Sequence, residues 1–174
     1  MDERPKTTPY SVTTGSEARD RIETMLRQTQ IGALGLSDGH LPYVVPMNHL
    51  YIPGQLIFHG PLETGKKMEM INKNPRGCYT VTRPLEELKP DQLSCHVSYE
   101  SVICDGRIYN VNSAEERVEH INIWRAHYQS KPGRPAEDAA RTTGFFKFVI
   151  EEMTLRYGSF HPGGPRPLCI YKFT

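Results

Sequence analysis

The chain has 174 residues, 24% of them charged, and a formal net charge of +1. That length buries a sizeable core without disulfide or metal staples, so one domain over 1–174 is expected. Near-neutral charge argues against a protein that coats nucleic acid, while leaving room for a local basic pocket.

Residues 1–13 read as a loosely held arm, polar and charged, with no apolar secretory core. A helix opens in "TGSEARDRIETMLRQTQ", where Thr14 and Glu17 form a capping box and Ala18, Ile22, Met25 and Leu26 share one face. From Ile31 the apolar period changes to that of strands. "IGALGLS", "LPYVVPMNHLYI" and "LIFHG" make a meander, its turns signalled by Asp38-Gly39 and Pro53-Gly54. "GKKMEMINKN" is a short helix stopped before Pro75, and "GCYTVTR" is another strand. "PLEELKPDQLSC" reads as a loop. "HVSYESVICDGRIYNVN" is a strand pair or one bent strand, broken or bulged near Asp105-Gly106. Ser113 with Glu116 caps a helix whose Val118, Ile121, Trp124 and Tyr128 make an apolar stripe for packing on the barrel or a dimer partner. "KPGRPAEDAARTTG" reads as a surface loop, and "FFKFVIEEMTLRYG" and "PLCIYKF" as closing strands. Six to eight mostly antiparallel strands with three outer helices give an α+β, mainly β chain with a barrel-like core. No run nears the roughly 18 apolar residues of a membrane span. The expectation is therefore a cytoplasmic protein with neither a nucleic-acid nor a membrane partner.

Lys66 and Lys67 are the anomaly. They open a helix, where like charge is unfavourable by roughly 0.3–1 kcal/mol each. An anion would resolve it. Gly65 lets backbone come close to a ligand, the helix end adds N–H donors, and a phosphate monoester of roughly −1.5 to −2 charge fits. The pair also reads as two ordinary solvated lysines, and GKK is not the GxxxxGK[ST] phosphate loop. Pro42 and Pro46 interrupt their strand and free main-chain groups for a flat heteroaromatic ligand, or they mark an edge strand protected from aggregation. His59 ends its strand close enough to Gly65 for one ligand to reach both, or is a hydrogen-bonded surface residue. Cys78, Cys95, Cys104 and Cys169 form no CxxC or short Cys/His pairing, so they read as reduced thiols and no metal site is expected.

The ordered set "LPYVVPMNHLYIPGQLIFHGPLETGKKMEMINKNPRGCYTV", "SYESVICDGR" and a helix opened by "SAEER" resembles the pyridoxamine 5′-phosphate oxidase-like, FMN-binding split-barrel superfamily. Within it, the likeness is to the nitroimidazole-resistance (Nim-type) flavoproteins. The resemblance implies a six-stranded antiparallel split β-barrel with flanking helices, forming a homodimer with FMN at its interface. It also implies a role for each matching residue. Val45, Pro46, Met47 and Asn48 would line the isoalloxazine and ribityl chain. Phe58 and His59 would lie against the flavin, His59 nearest the substrate. Gly65, Lys66 and Lys67 would hold the phosphate, and Tyr99 and Ser101 would complete the wall across the dimer interface.

The implied activity is that of an FMN-dependent oxidoreductase. It would pass electrons from NAD(P)H or a carrier to a small substrate, nitroaromatics being one class, with His59 as the catalytic residue that orients or protonates it. The tail "RYGSFHPGGPRPLCIYKFT" departs from the family pattern, and the arginine pair of true pyridoxamine phosphate oxidases is not recognisable, so that activity is not expected. The alternative is a non-catalytic flavin- or haem-binding or sensing protein on the same barrel. His49, His59, His96, His120, His127 and His161 supply candidate haem ligands. A scaffold that has lost its cofactor and a deazaflavin reductase of related shape are further rivals.

Overall fold

In the computed structural model, which describes residues 10–12, 16–62, 65–85, 98–131, 133–158 and 166–172, short helices alternate with the strands of one curled sheet. Strand β1 (Tyr10–Val12) precedes helix α1 (Ser16–Gln28). Ala18, Ile22, Met25 and Leu26 of α1 are buried, as their spacing requires. Arg19 and Arg27 each pair with Glu23 one turn away, at 2.7 and 2.9 Å. Thr14 and the side chain of Glu17 lie outside the described residues.

β2 (Ile31–Ser37) and β3 (Pro42–Asn48) form the expected hairpin, with Leu34 opposite Val45. "LPYVVPMNHLYI" is not one strand, however. It breaks at His49, and β4 (Leu50–Ile52) pairs instead with β5 (Gln55–Pro61). The cause is local: His49 turns its ring into the core, 2.8 Å from the Leu26 carbonyl and 2.8 Å from the Tyr79 hydroxyl, and its amide donates to Gln30.

α2 (Lys66–Lys73) ends at Asn74 ahead of Pro75, and β6 (Arg76–Pro84) follows. β7 (Tyr99–Asn110) is one continuous strand between β6 and β8 (Thr143–Gly158). Its register slips where expected, but the extra residue belongs to the neighbour. Asp105 faces Glu152 and Gly106 faces Ile150, leaving Glu151 of β8 unmatched. Gly106 marks a close approach rather than a turn, since a Cβ there would run into the Val149 carbonyl oxygen.

The sheet order is β1-β9-β8-β7-β6-β2-β3, with β9 spanning Arg166–Lys172; only β1 and β9 run parallel. On the side of β8 away from β7, β5 pairs with Thr143–Val149 and β9 with Glu152–Arg156. The sheet therefore divides at the Glu151 bulge, where a strand bends most easily. The described residues hold nine strands rather than six, because β4 parts from β3 at His49 and β1 and β9 extend the far edge.

α3 (Ala114–His127) starts from Ser113, whose hydroxyl accepts the Glu116 amide at 3.2 Å. The segment expected to be a surface loop contains a further helix, α4 (Ala136–Ala140). Ala136, Ala139 and Ala140 are buried there, packed with Ile57, Ile121 and Phe145 in a second apolar cluster outside the barrel. The main core, with Leu34, Leu56, Phe58, Tyr79, Phe148 and Met153 fully buried, fills the inside of the curl. Among the described residues no helix is long and apolar enough to cross a membrane.

Candidate functional site

The corner where β5 hands over to α2 gathers the unusual charges. Gly65 precedes α2 in extended backbone and no side chain caps the helix, so its first amides face outward unpaired by a cap. The two lysines diverge from there. Lys66 is exposed, its ammonium 5.1 Å from the centre of the Tyr43 ring on β3. Lys67 folds back across the barrel end, 4.6 Å from the Phe146 ring centre and 3.6 Å from the Met47 sulfur. Its ammonium passes so close to Gly60 that a Cβ there would lie 3.2 Å away.

Among the described residues Lys67 has no carboxylate partner, although Arg76, Arg83 and Arg107 on the sheet each have one. Burial alone holds its pKa below the ordinary lysine value. A half-buried cation on sulfur and aromatic carbon has lost much of its hydration, and an anion would restore a partner.

The other predicted residues divide between faces. On β3, Val45 and Met47 turn inward against the core, while Pro46 and Asn48 are exposed on the outer face. Among the described residues β3 pairs only with β2, so Pro42 and Pro46 lie on an edge strand. Phe58 is fully buried in the main core, 5.1 Å ring to ring from Tyr79, and offers no surface to an external ligand. His59 points the opposite way. Its ring stands edge-on to Trp124 of α3 at 4.4 Å and lies 6.1 Å from Phe145. Burial first, and the Lys67 charge second, hold His59 below its ordinary pKa, so it is neutral at pH 7.

Tyr99 and Ser101 open β7, beside Pro84, Thr82 and Arg156. The other end of β7, Asn110, sits opposite Phe146 and hence near Lys67. Nine strand residues separate Ser101 from Asn110, about 30 Å at roughly 3.3 Å each. Across the sheet the path is shorter: the row Pro46–Ala33–Thr80–Ile103 joins β3 to β7 in three strand spacings, roughly 14 Å, and Ser101 lies two residues from Ile103.

Sequence reading missed a cavity of about 510 Å³ between α3, α4 and the β5–β8 edge, lined by His59, Trp124, Arg125, Arg134 and Phe145 among others. The signal was present in the alanines at 136, 139 and 140, a helical face hidden in a stretch rich in proline and charge. Cys78 and Cys104 are free thiols; burial pushes Cys78 up to about 11 and raises Cys104 as well, so neither is a nucleophile at neutral pH.

Residues 18–157 match the family model described as pyridoxamine 5′-phosphate oxidase. The chain belongs to this family. Among solved structures, a Bacteroides thetaiotaomicron protein given provisionally as a 5-nitroimidazole antibiotic resistance protein is 28% identical, with TM-score 0.66 over 79% of this chain and 82% of that one. A FAD-binding protein of Mesorhizobium loti shares the fold at 22% identity and TM-score 0.58, over 80% and 94% of the two chains. A FAD and heme binding protein of Mycobacterium smegmatis shares it at 14% identity and TM-score 0.65, over 90% and 83%. Among curated proteins none matches. The family match begins inside α1, at Ala18, and covers every strand from β2 to β7, so the lysine corner and His59 both fall within it.

Proposed function

We propose that this chain is an FMN-dependent oxidoreductase, a homodimer that holds FMN between its subunits and reduces a small substrate. The observation that carries the reading is the Lys67 ammonium, half-buried at the barrel end without a carboxylate partner among the described residues, beside Lys66 and an uncapped helix start. That corner fits the phosphate of FMN in charge and in donor chemistry. Gly65 and the two lysines would hold the phosphate, and Pro46 and Asn48, on the exposed side of β3, would meet the ring and ribityl chain. Val45 and Met47 would shape that wall from behind, and Phe58 would act only through packing beneath it. Tyr99 and Ser101 would come from the second subunit.

When bound, FMN supplies the hydride or electron transfer. The chain's own contribution is placement. Neutral His59 has one N–H to donate and one lone pair to accept, so its role at pH 7 is to orient the substrate rather than to protonate it. NAD(P)H or a carrier would provide the electrons, and nitroaromatics are one substrate class.

The test is anaerobic. The FMN-loaded protein should lose its blue absorption on adding NAD(P)H and regain it on adding a nitroaromatic. Loss of colour with neither NADH nor NADPH nor a reduced carrier protein would leave the non-catalytic binding reading standing. His49 is no haem ligand for that alternative, because both ring nitrogens are already engaged in the core. His96 and His161 lie outside the described residues.

A further inference from the structure

We propose that the cavity between α3, α4 and the β5–β8 edge binds a small planar aromatic carboxylate. This deepens the reductase reading by naming a substrate class, and it rests on that reading only in giving His59 to both sites. The cavity, about 510 Å³, falls in the range of roughly 300–1,000 Å³ typical of small-molecule pockets. Its apolar lining is aromatic. The rings of Trp124 and His59 are perpendicular at 4.4 Å, and Phe145 lies 6.4 Å from Trp124. Such an arrangement presents a face and an edge to an inserted ring.

The polar lining is cationic. Arg125 donates one N–H to the Arg134 carbonyl at 2.9 Å, and Arg134 donates one to the Thr142 hydroxyl at 2.7 Å. Those bonds hold both heads in place and leave most of the five donors on each guanidinium free. Neither arginine has a carboxylate within ion-pair distance among the described residues, whereas Arg19, Arg21, Arg27, Arg76, Arg83 and Arg107 each have one. Two unneutralised planar forks beside an aromatic wall match a carboxylate carried on a ring. A neutral ring would fill the same space and leave both forks unpaired.

The experiment uses the full chain as purified and reads the emission of Trp124, the single tryptophan, during titration with benzoate and with benzamide. Benzoate is expected to bind saturably and at least tenfold more tightly than benzamide. The Arg125→Gln/Arg134→Gln variant is expected to lose tenfold or more for benzoate while its benzamide affinity stays within twofold. Equal affinity for the two probes in the unmodified chain overturns the proposal, as does the absence of saturable benzoate binding. The unmodified chain alone decides this, so a variant that folds poorly does not obscure the outcome. Flavin content is measured on the same sample. Discrimination between probes without flavin keeps the pocket and rejects the cofactor; flavin without discrimination does the reverse.

Discussion

His49 is 1% exposed, and burial is the main reason its pKa lies below the usual value. Nε2 donates to the Leu26 carbonyl, while Nδ1 lies 2.8 Å from the Tyr79 hydroxyl, whose one proton is also 2.8 Å from the Met47 carbonyl and so is shared between two acceptors. The unfolded chain takes up a proton near the ordinary value of 6.5, while the folded chain resists it. The stability contributed is complete above that pH and is lost as pH falls through the depressed folded value. Glu23 and Glu100 act in the same direction but only below their ordinary 4.5, because their arginine partners outweigh the cost of burial. Denaturant unfolding should therefore weaken steadily between pH 6.5 and 4.5, and His49→Gln should remove much of that slope. His59→Gln should remove a further part of it, since His59 is shifted the same way. A slope unchanged in His49→Gln would move the origin elsewhere.

Lys67 gives the converse case. Lys67→Met keeps the length and removes a desolvated charge from beside Met47 and Phe146. The expected result is a melting temperature at or above that of the parent, with FMN affinity down about tenfold or more. That figure follows from roughly 1.5–3 kcal/mol for a hydrogen bond to a charged group. The sequence made the lysine pair visible, but not that one of them folds inward. That direction depends on Gly60 and Phe146, residues from two other strands.

Among elements, β7 and β8 set the curl. Gly106→Ala should destabilise the chain by about 1–3 kcal/mol or more, since the added methyl meets backbone rather than a movable side chain. Urea denaturation measures it, and a neutral outcome would mean the strands separate at no cost. Ser113→Ala should cost about 1 kcal/mol, as expected for a lost N-cap, read by the same method. The hairpin of β2 and β3, the stripe of α1 and the cap of α3 were all legible, because each is written in local spacing. The break at His49 was not, because it follows from hydrogen bonds to Leu26 and Tyr79 far along the chain. Nor was α4, whose five residues are held by packing on Ile57 and Phe145 more than by any propensity of their own.

For the whole molecule, the outer face of β2 and β3 bears on assembly. Val44 is 65% exposed and Ile31 58%, with the small Ala33 and Gly35 lying opposite Pro46 and Val44 in register. An apolar, low-relief sheet face of this kind suits a second copy of the chain. Val44→Glu should shift sedimentation from dimer to monomer and release FMN in the same titration. Loss of the dimer with FMN fully retained would contradict a cofactor wall built from two subunits. The resemblance made this assembly an expectation, and the sedimentation experiment tests it.

The most direct measurement compares the affinities of FMN and riboflavin for the unmodified chain and for Lys66→Ala/Lys67→Ala. The two ligands differ only in the phosphate. The unmodified chain should prefer FMN by about 100-fold or more, the worth of two charge-assisted contacts at roughly 1.5–3 kcal/mol each, and in the double variant that preference should collapse to within a few-fold. Equal binding of FMN and riboflavin by the unmodified chain, or an intact preference without the lysines, would contradict the account.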